Sequence, residues 1–192
     1  ILDTIPRIKQ PNRLHAYVES DCGSDRTHRR SVTRLAIMMA GGVIAYKSKY
    51  QQTIALSSTE AEFTAAAEAG KMTLYLRSIL HELGFSQDLP SIIFEDNTGA
   101  LHMANAQQPT RRTRHMDTKH FAIQDWVAHD QVDLAPIATA NNISDAFTKA
   151  LGRIKFYEQT DVLMGRRIPP YVPQWIKNDH PRHSQVPRLL QT

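Results

Sequence analysis

The chain has 192 residues, 41% of them hydrophobic and 22% charged, with a formal net charge of +4. This composition excludes a disordered chain and fits one domain of ordinary size with tails. Cys22 is the one cysteine, which excludes an internal disulfide or a cysteine-rich zinc site and suits a reducing compartment. No signal-peptide pattern is read, and the longest apolar stretch, residues 35–46, is broken by Gly41 and Gly42 and too short to cross a bilayer. The mild basic excess suits a polyanionic partner and an ordinary soluble surface equally well.

Residues 1–13 carry Pro6, Pro11 and mixed charge, and read as a linker or the tail of a preceding domain. A start at Ile1 rather than Met reads as a segment of something longer. Residues 15–21 alternate, with Ala16, Val18 and Ser20 on one side and Tyr17, Glu19 and Asp21 on the other, which predicts a strand. Residues 35–40 and 43–48 are apolar runs joined by Gly41-Gly42, a hairpin signal because its turns need positive φ.

At residues 57–62 the string SSTEAE holds two overlapping capping boxes, Ser57 with Glu60 and Thr59 with Glu62. Phe63, Ala66, Ala67, Gly70 and Leu74, then Leu76, Ile79, Leu80 and Leu83, recur at helical spacing. The pattern predicts a long helix over residues 58–83, with Gly84 after its end. Residues 91–95 predict a short strand, 97–104 a short helix, 114–129 another helix and 132–137 a strand. Asn142 or Ser144 can cap a helix running to Leu151, and residues 154–164 predict one more. From Arg166 five prolines break any element, so residues 166–192 read as a tail. Strands first and β/α alternation afterwards argue an α/β domain with a mixed sheet and helices packed on it.

Four acids fall where elements begin or end: Glu19 in the first strand, Glu62 in the long helix, Asp96 after the fourth strand and Asp145 opening a late helix. Such ends are where α/β folds place ligands. Converging carboxylates repel, so they call for hard divalent cations, Mg²⁺ or Mn²⁺, and two ions can activate a water and stabilise a leaving oxygen. Each acid also has a structural explanation: a capping box with Thr59 for Glu62, the helix dipole for Asp145, turn chemistry for Asp96 and a solvated sheet face for Glu19. Spacing alone supports a candidate carboxylate metal site and no more.

The segment ALSSTEAEF at residues 55–63 resembles the ALSSTEAEY signature of copia-type retrotransposon ribonuclease H domains. The family's YVDADWAGDRDTRRS is similar to YVESDCGSDRTHRRS at 17–31, its CDNxSA to EDNTGA at 95–100, its RTKHID to RTRHMD at 112–117 and its ADxFTKPL to SDAFTKAL at 144–151. Five blocks in order cover about residues 15–165. The resemblance implies a ribonuclease H-like fold, a five-stranded mixed sheet flanked by helices, over residues 14–165. It implies catalytic, metal-binding roles for Glu19, Glu62, Asp96 and Asp145, with Glu60 as a cap. It also implies two Mg²⁺ ions replaceable by Mn²⁺, an RNA/DNA hybrid as substrate and the reverse transcriptase domain of the same polyprotein as partner. No membrane and no small-molecule cofactor are expected, and the location is cytoplasmic, in a virus-like particle, or nuclear. Arg111, Arg112, Arg114 and Lys119 are the expected contacts to the hybrid's phosphates, while His115 and Asp117 suit a structural role.

Three departures from the family pattern stand out. Glu19 replaces the first Asp and lengthens the side chain by a methylene, roughly 1.5 Å, where such sites need placement within about 0.5 Å. Asp21, two residues on, is a candidate to compensate. Cys22 replaces a Trp, and Arg34 stands at the usual Gly, a loss of stability if that position needs an unusual backbone angle. No histidine occurs in residues 136–144, where many ribonucleases H carry one. The expected outcome is a domain that folds with impaired cleavage; the alternative is a catalytically dead nucleic-acid-binding or structural relic.

Overall fold

Alternation along β1 (His15–Asp21) sends Ala16 and Val18 to one side and Tyr17 to the other, and all three are fully buried. A strand covered on both sides must lie in the middle of its sheet, with helices or loops on each face. The computed structural model of the chain, which describes residues 12–23, 25, 27–106, 121–147 and 151–167, places β1 there. The remaining strands are β2 (Val32–Met39), β3 (Gly42–Tyr50), β4 (Ser91–Glu95) and β5 (Val132–Pro136), in the order β3-β2-β1-β4-β5. β1, β2 and β3 pair antiparallel, β4 joins β1 in parallel, and β5 joins β4 in parallel. This is the five-stranded mixed sheet expected from the resemblance.

One face of the sheet carries Val18, Leu35, Ile37 and Ile93 against helix α1 (Ser58–Glu82). The half of α1 that meets the sheet is rich in alanine, with Ala61, Ala65, Ala66 and Ala69 buried, so the backbone lies close to the strands. Phe63 is the large side chain of this interface and packs on Phe121, ring centroids 5.5 Å apart. Gly70 completes the stripe: a Cβ there would stand 2.9 Å from the Trp126 ring, so a side chain would push α1 off helix α3 (Ala122–Ala128). Helix α2 (Thr98–Asn105) buries Ala100 and Ala104 beside them. The opposite face holds Tyr17, Met38, Ile92 and Phe94 against Ile137, Ile143 and Val162, the last from helix α4 (Arg153–Leu163). Tyr17 and Phe94 stack with centroids 5.0 Å apart.

Two local expectations change. The hairpin turns on Ala40 and Gly41, not Gly41 and Gly42: both have positive φ, 52° and 88°, and Gly42 already pairs with Met39. A two-residue turn with positive φ at both positions follows the strand twist, and the register admits only this pair. The helix expected to run from Asn142 or Ser144 to Leu151 is a 3₁₀ turn, Ile143–Phe147, over its described part. Asn142 does cap it, but its side chain also reaches across to β1, which ties the turn to the sheet. Residues 107–120, with the start of the helix expected over 114–129, lie outside the described residues, as do most of the two expected tails. Among the described residues no helix is long and apolar enough to cross a membrane.

Ala40 is the residue in this turn with a Cβ to accommodate, at a φ that costs an L-residue about 1–2 kcal/mol. Ala40→Asn, which suits that conformation without glycine's entropy, is expected to raise stability by about 1 kcal/mol in urea unfolding.

Candidate carboxylate metal centre

Capping chemistry decides which glutamate of the SSTEAE string turns inward. Ser57 is the N-cap of α1; its Oγ accepts the Glu60 N–H at 3.2 Å, and Glu60 Oε2 accepts the Leu56 N–H at 2.8 Å. Glu60 is thereby held at the helix end. Glu62 lies about 200° further round the helix and points into the sheet, 6% exposed. Of the two boxes written in the sequence, the one on Ser57 forms in half: Ser57 caps Glu60, while Glu60 takes the N–H of Leu56 rather than that of Ser57. Thr59 Oγ1 bonds to Asn97 Oδ1 instead, at 3.4 Å.

The other side of the centre is the end of β4. Alternation turns Ile93 and Glu95 toward α1, and Glu95 is fully buried. Its Oε1 accepts the Asn97 N–H at 3.0 Å, while the Asn97 side chain caps α2 by accepting the Ala100 N–H at 3.1 Å. These bonds hold Asp96 in the link between strand and helix. Gly99 lets the first turn of α2 approach α1, since a Cβ there would lie 2.8 Å from Thr59. Glu62, Glu95 and Asp96 each offer one carboxylate oxygen, all within 4.8 Å of one another.

Two of the four expected acids, Glu62 and Asp96, therefore meet. Glu19 is buried near the end of β1, opposite Arg34 of β2, and its charge acts on both Glu62 and Glu95. Asp145 is also buried, but it lies outside the group of three and accepts from Lys155 Nζ of α4 at 3.3 Å. Asp21 is not placed to compensate for Glu19: it accepts the Val32 N–H at 2.8 Å and forms an ion pair with Arg34. Arg34 lies within β2 and is not among the residues of positive φ, so the strain suggested for it is absent. Arg111, Arg112, Arg114 and Lys119, with His115 and Asp117, fall outside the described residues.

Burial dominates the electrostatics. It pushes the Glu62 carboxyl up to about 10, helped by the charges of Glu95, Asp96 and Glu19 and opposed by a hydrogen bond from the Ser20 backbone. Glu95 rises to about 8, again chiefly through burial, with Asp96 and Glu19 adding to the rise and the Asn97 and Asp96 N–H groups opposing it. Glu62 Oε2 and Glu95 Oε2 are both buried without a hydrogen-bond partner. A carboxylate so placed is stable only with a proton or a cation.

Sequence reasoning missed Glu95 and Gln51 here, and saw Asn142 only as a cap. Glu95 reads as the last residue of an apolar strand, and only its alternation with Ile93 signals that it faces the helix. Gln51 donates from Nε2 to Ser20 Oγ, Thr33 Oγ1 and the Ala61 carbonyl, joining β1, β2 and α1 beside Glu62. Asn142 donates to the Val18 carbonyl at 2.8 Å and accepts from Ser144 N–H and Oγ, which ties the turn carrying Asp145 to the strand carrying Glu19.

No family model matches the chain. It is 34% identical over 143 residues, 74% of its length, to the Retrovirus-related Pol polyprotein from transposon TNT 1-94 of Nicotiana tabacum. It is 27% identical over 157 residues, 82% of its length, to the corresponding polyprotein from transposon RE1 of Arabidopsis thaliana. The chain spans 11% of the length of each. Among solved structures, LC11-RNase H1 in complex with an RNA/DNA hybrid matches 68% of this chain and 88% of its own, at 11% identity and a TM-score of 0.48. The N-terminal RNase H domain of rv2228c from Mycobacterium tuberculosis matches 78% and 96%, at 8% identity and a TM-score of 0.47. The sheet order and the helices on its faces define a ribonuclease H-like domain. The chain is homologous to a segment of the retrovirus-related Pol polyproteins of plant transposons.

Two measurements probe this geometry. A carboxyl whose folded pKa is raised stabilises the fold fully below its unfolded value near 4.5, and that stability is lost as pH rises through the folded value. With chelator present, the melting temperature is expected to fall between about pH 5 and pH 10, and Glu62→Gln is expected to flatten the slope. Separately, Asn142→Ala leaves the Val18 carbonyl buried and unpaired, an expected cost of about 2–3 kcal/mol in urea unfolding.

Proposed function

We propose that this domain hydrolyses the RNA strand of RNA/DNA hybrids during reverse transcription of its element. In this reading Glu19, Glu62, Asp96 and Asp145 hold two Mg²⁺ ions, with Mn²⁺ able to substitute. The observation that carries it is the meeting of the Glu62 and Asp96 oxygens at the mouth of β1 and β4, in a chain homologous to transposon Pol polyproteins. The residues fit a cation, because Glu62 Oε2 is buried with no hydrogen-bond partner. Bound ions would supply water activation and charge stabilisation on the leaving oxygen.

The chain's own residues do the placing. Ser57 and Glu60 fix the start of α1, so Glu62 is presented to the sheet rather than to water. Asn97 fixes the bend that presents Asp96. Asn142 holds the Asp145 turn against β1, and Lys155 forms an ion pair with the Asp145 carboxylate. A hybrid differs from duplex DNA in the 2′-hydroxyls of one strand, and Arg111, Arg112, Arg114 and Lys119 are the proposed phosphate contacts. The reverse transcriptase domain of the same polyprotein is the proposed partner, and a cytoplasmic virus-like particle or the nucleus the proposed setting. Residues 14–165 form the catalytic unit in this reading, between a linker at 1–13 and a tail at 166–192.

Two observations favour a second reading, the same fold binding hybrid without cutting it or serving as a platform for the polymerase. Glu19 carries one methylene more than the family's Asp, and Asp145 is engaged with Lys155. The decisive assay follows a labelled RNA/DNA hybrid with Mg²⁺ and with Mn²⁺. Cleavage is expected to be slow, to vanish in Asp96→Asn, and to rise in Glu19→Asp by roughly tenfold to a hundredfold, the range that a misplacement of about 1 Å costs. Unchanged cleavage in Asp96→Asn removes the site assignment, and equal rates for the native chain and Glu19→Asp remove the impairment. Hybrid binding without cleavage selects the second reading, and no binding at moderate salt selects the platform.

A further inference from the structure

The resemblance assigns no role to Glu95, which stands where the family's CDNxSA block has a cysteine. In this chain that position lies under the candidate centre. Glu95 is completely enclosed, and its two oxygens differ in their surroundings. Oε1 is satisfied by the Asn97 N–H, whereas Oε2 has no hydrogen-bond partner. The same holds for Oε2 of Glu62, and a carboxylate oxygen of each residue lies within 4.8 Å of the other and of Asp96. An apolar or thiol side chain at the end of β4 would leave Glu62 facing the core. A second carboxylate makes a two-sided cradle, with Glu62 from the helix and Glu95 from the sheet, and Asp96 closes its rim.

We infer that Glu95 is a direct metal ligand, so that the first divalent cation of this chain is held by Glu62, Glu95 and Asp96. The inference rests on reading this centre as a metal site and adds an acid that the resemblance does not supply. Opposite ligand oxygens stand roughly 4.0–4.2 Å apart around Mg²⁺ and 4.6–5.2 Å around Ca²⁺. At most one pair among three ligands can be opposite, and adjacent oxygens around Mg²⁺ stand roughly 2.9 Å apart, so oxygens lying within 4.8 Å of one another would draw together on the ion. The arrangement also bears on the lengthened Glu19: with three carboxylates already on one ion, that ion's retention does not depend on where Glu19 ends. The competing account is a carboxylic acid pair in which Glu62 and Glu95 share protons and bind nothing.

The test is a Mn²⁺ titration of the full 192-residue chain, followed by calorimetry and by the loss of the free-ion paramagnetic signal, with cooperative melting checked for each variant. Glu95→Gln keeps the acceptor for Asn97 N–H and removes the charge; it is expected to weaken Mn²⁺ by about tenfold or more, as loss of supporting metal-site groups does. Asp96→Asn is expected to do the same, and Glu158→Gln, exposed on α4, to leave Mn²⁺ binding unchanged. If Glu95→Gln does not fold, Glu95→Asp, with its carboxylate withdrawn by one methylene, is expected to show the same weakening. Native affinity in whichever Glu95 variant folds overturns the inference; if Asp96→Asn has meanwhile lost the ion, the metal-centre reading stands without Glu95. Failure of the native chain to take up Mn²⁺ selects the proton-sharing pair and overturns both.

Discussion

Two glutamate side chains buried face to face, Glu62 from α1 and Glu95 from β4, are the constraint around which this domain is arranged. Each has an oxygen enclosed by protein and without a hydrogen-bond donor. Burying such groups is among the costlier things a fold can do, and it is tolerated where a proton or a cation completes them. Here the two lie at the carboxyl ends of neighbouring parallel strands, beside Asp96 and within electrostatic reach of Glu19. A mostly apolar sheet with one charged corner is how an α/β scaffold keeps stability and chemistry apart.

The corner is held by neutral amides rather than by ion pairs. Gln51 ties α1 to β1 and β2, Asn97 turns the chain from β4 into α2, and Asn142 fastens the 3₁₀ turn to β1. Amide side chains donate and accept without adding charge to an already negative site, so they brace it without altering its balance. Arg34 and Lys155 meet carboxylates at the margin, Asp21 and Asp145, and leave the three central acids to one another. The small residues of α1 complete the scaffold: the alanines bring the helix close to the sheet, where Glu62 reaches its end, and Gly70 lets α3 pack against α1.

Much of this was legible in the sequence. Alternation in residues 15–21, the apolar run at 91–95 and the 3.6-residue period after Ser57 mark β1, β4 and α1 because each element must bury one side. The hairpin was legible to within one residue: the Gly-Gly pair announced a turn, but cross-strand register, a property of two segments, moved it onto Ala40 and Gly41. The late helix was misjudged because capping chemistry at Asn142 looks the same whether a 3₁₀ turn or an α-helix follows.

The sequence by itself determined the order of elements, the ancestry of the chain and a short list of acids, because periodicity and motif order are properties of neighbouring residues. Its capping pattern alone could not decide which glutamate of SSTEAE faces inward, since Ser57 and Thr59 both offer a cap; the resemblance pointed to Glu62, and in the structure Thr59 meets Asn97, 38 residues away. It did not single out Glu95, whose chemistry depends on α1 lying over it. Nor could it show that Asp145 lies outside the three acids that cluster, where it meets Lys155 of α4. Distances between carboxylates belong to the packing of helix on sheet, so the tertiary structure alone drew Glu62, Glu95 and Asp96 together.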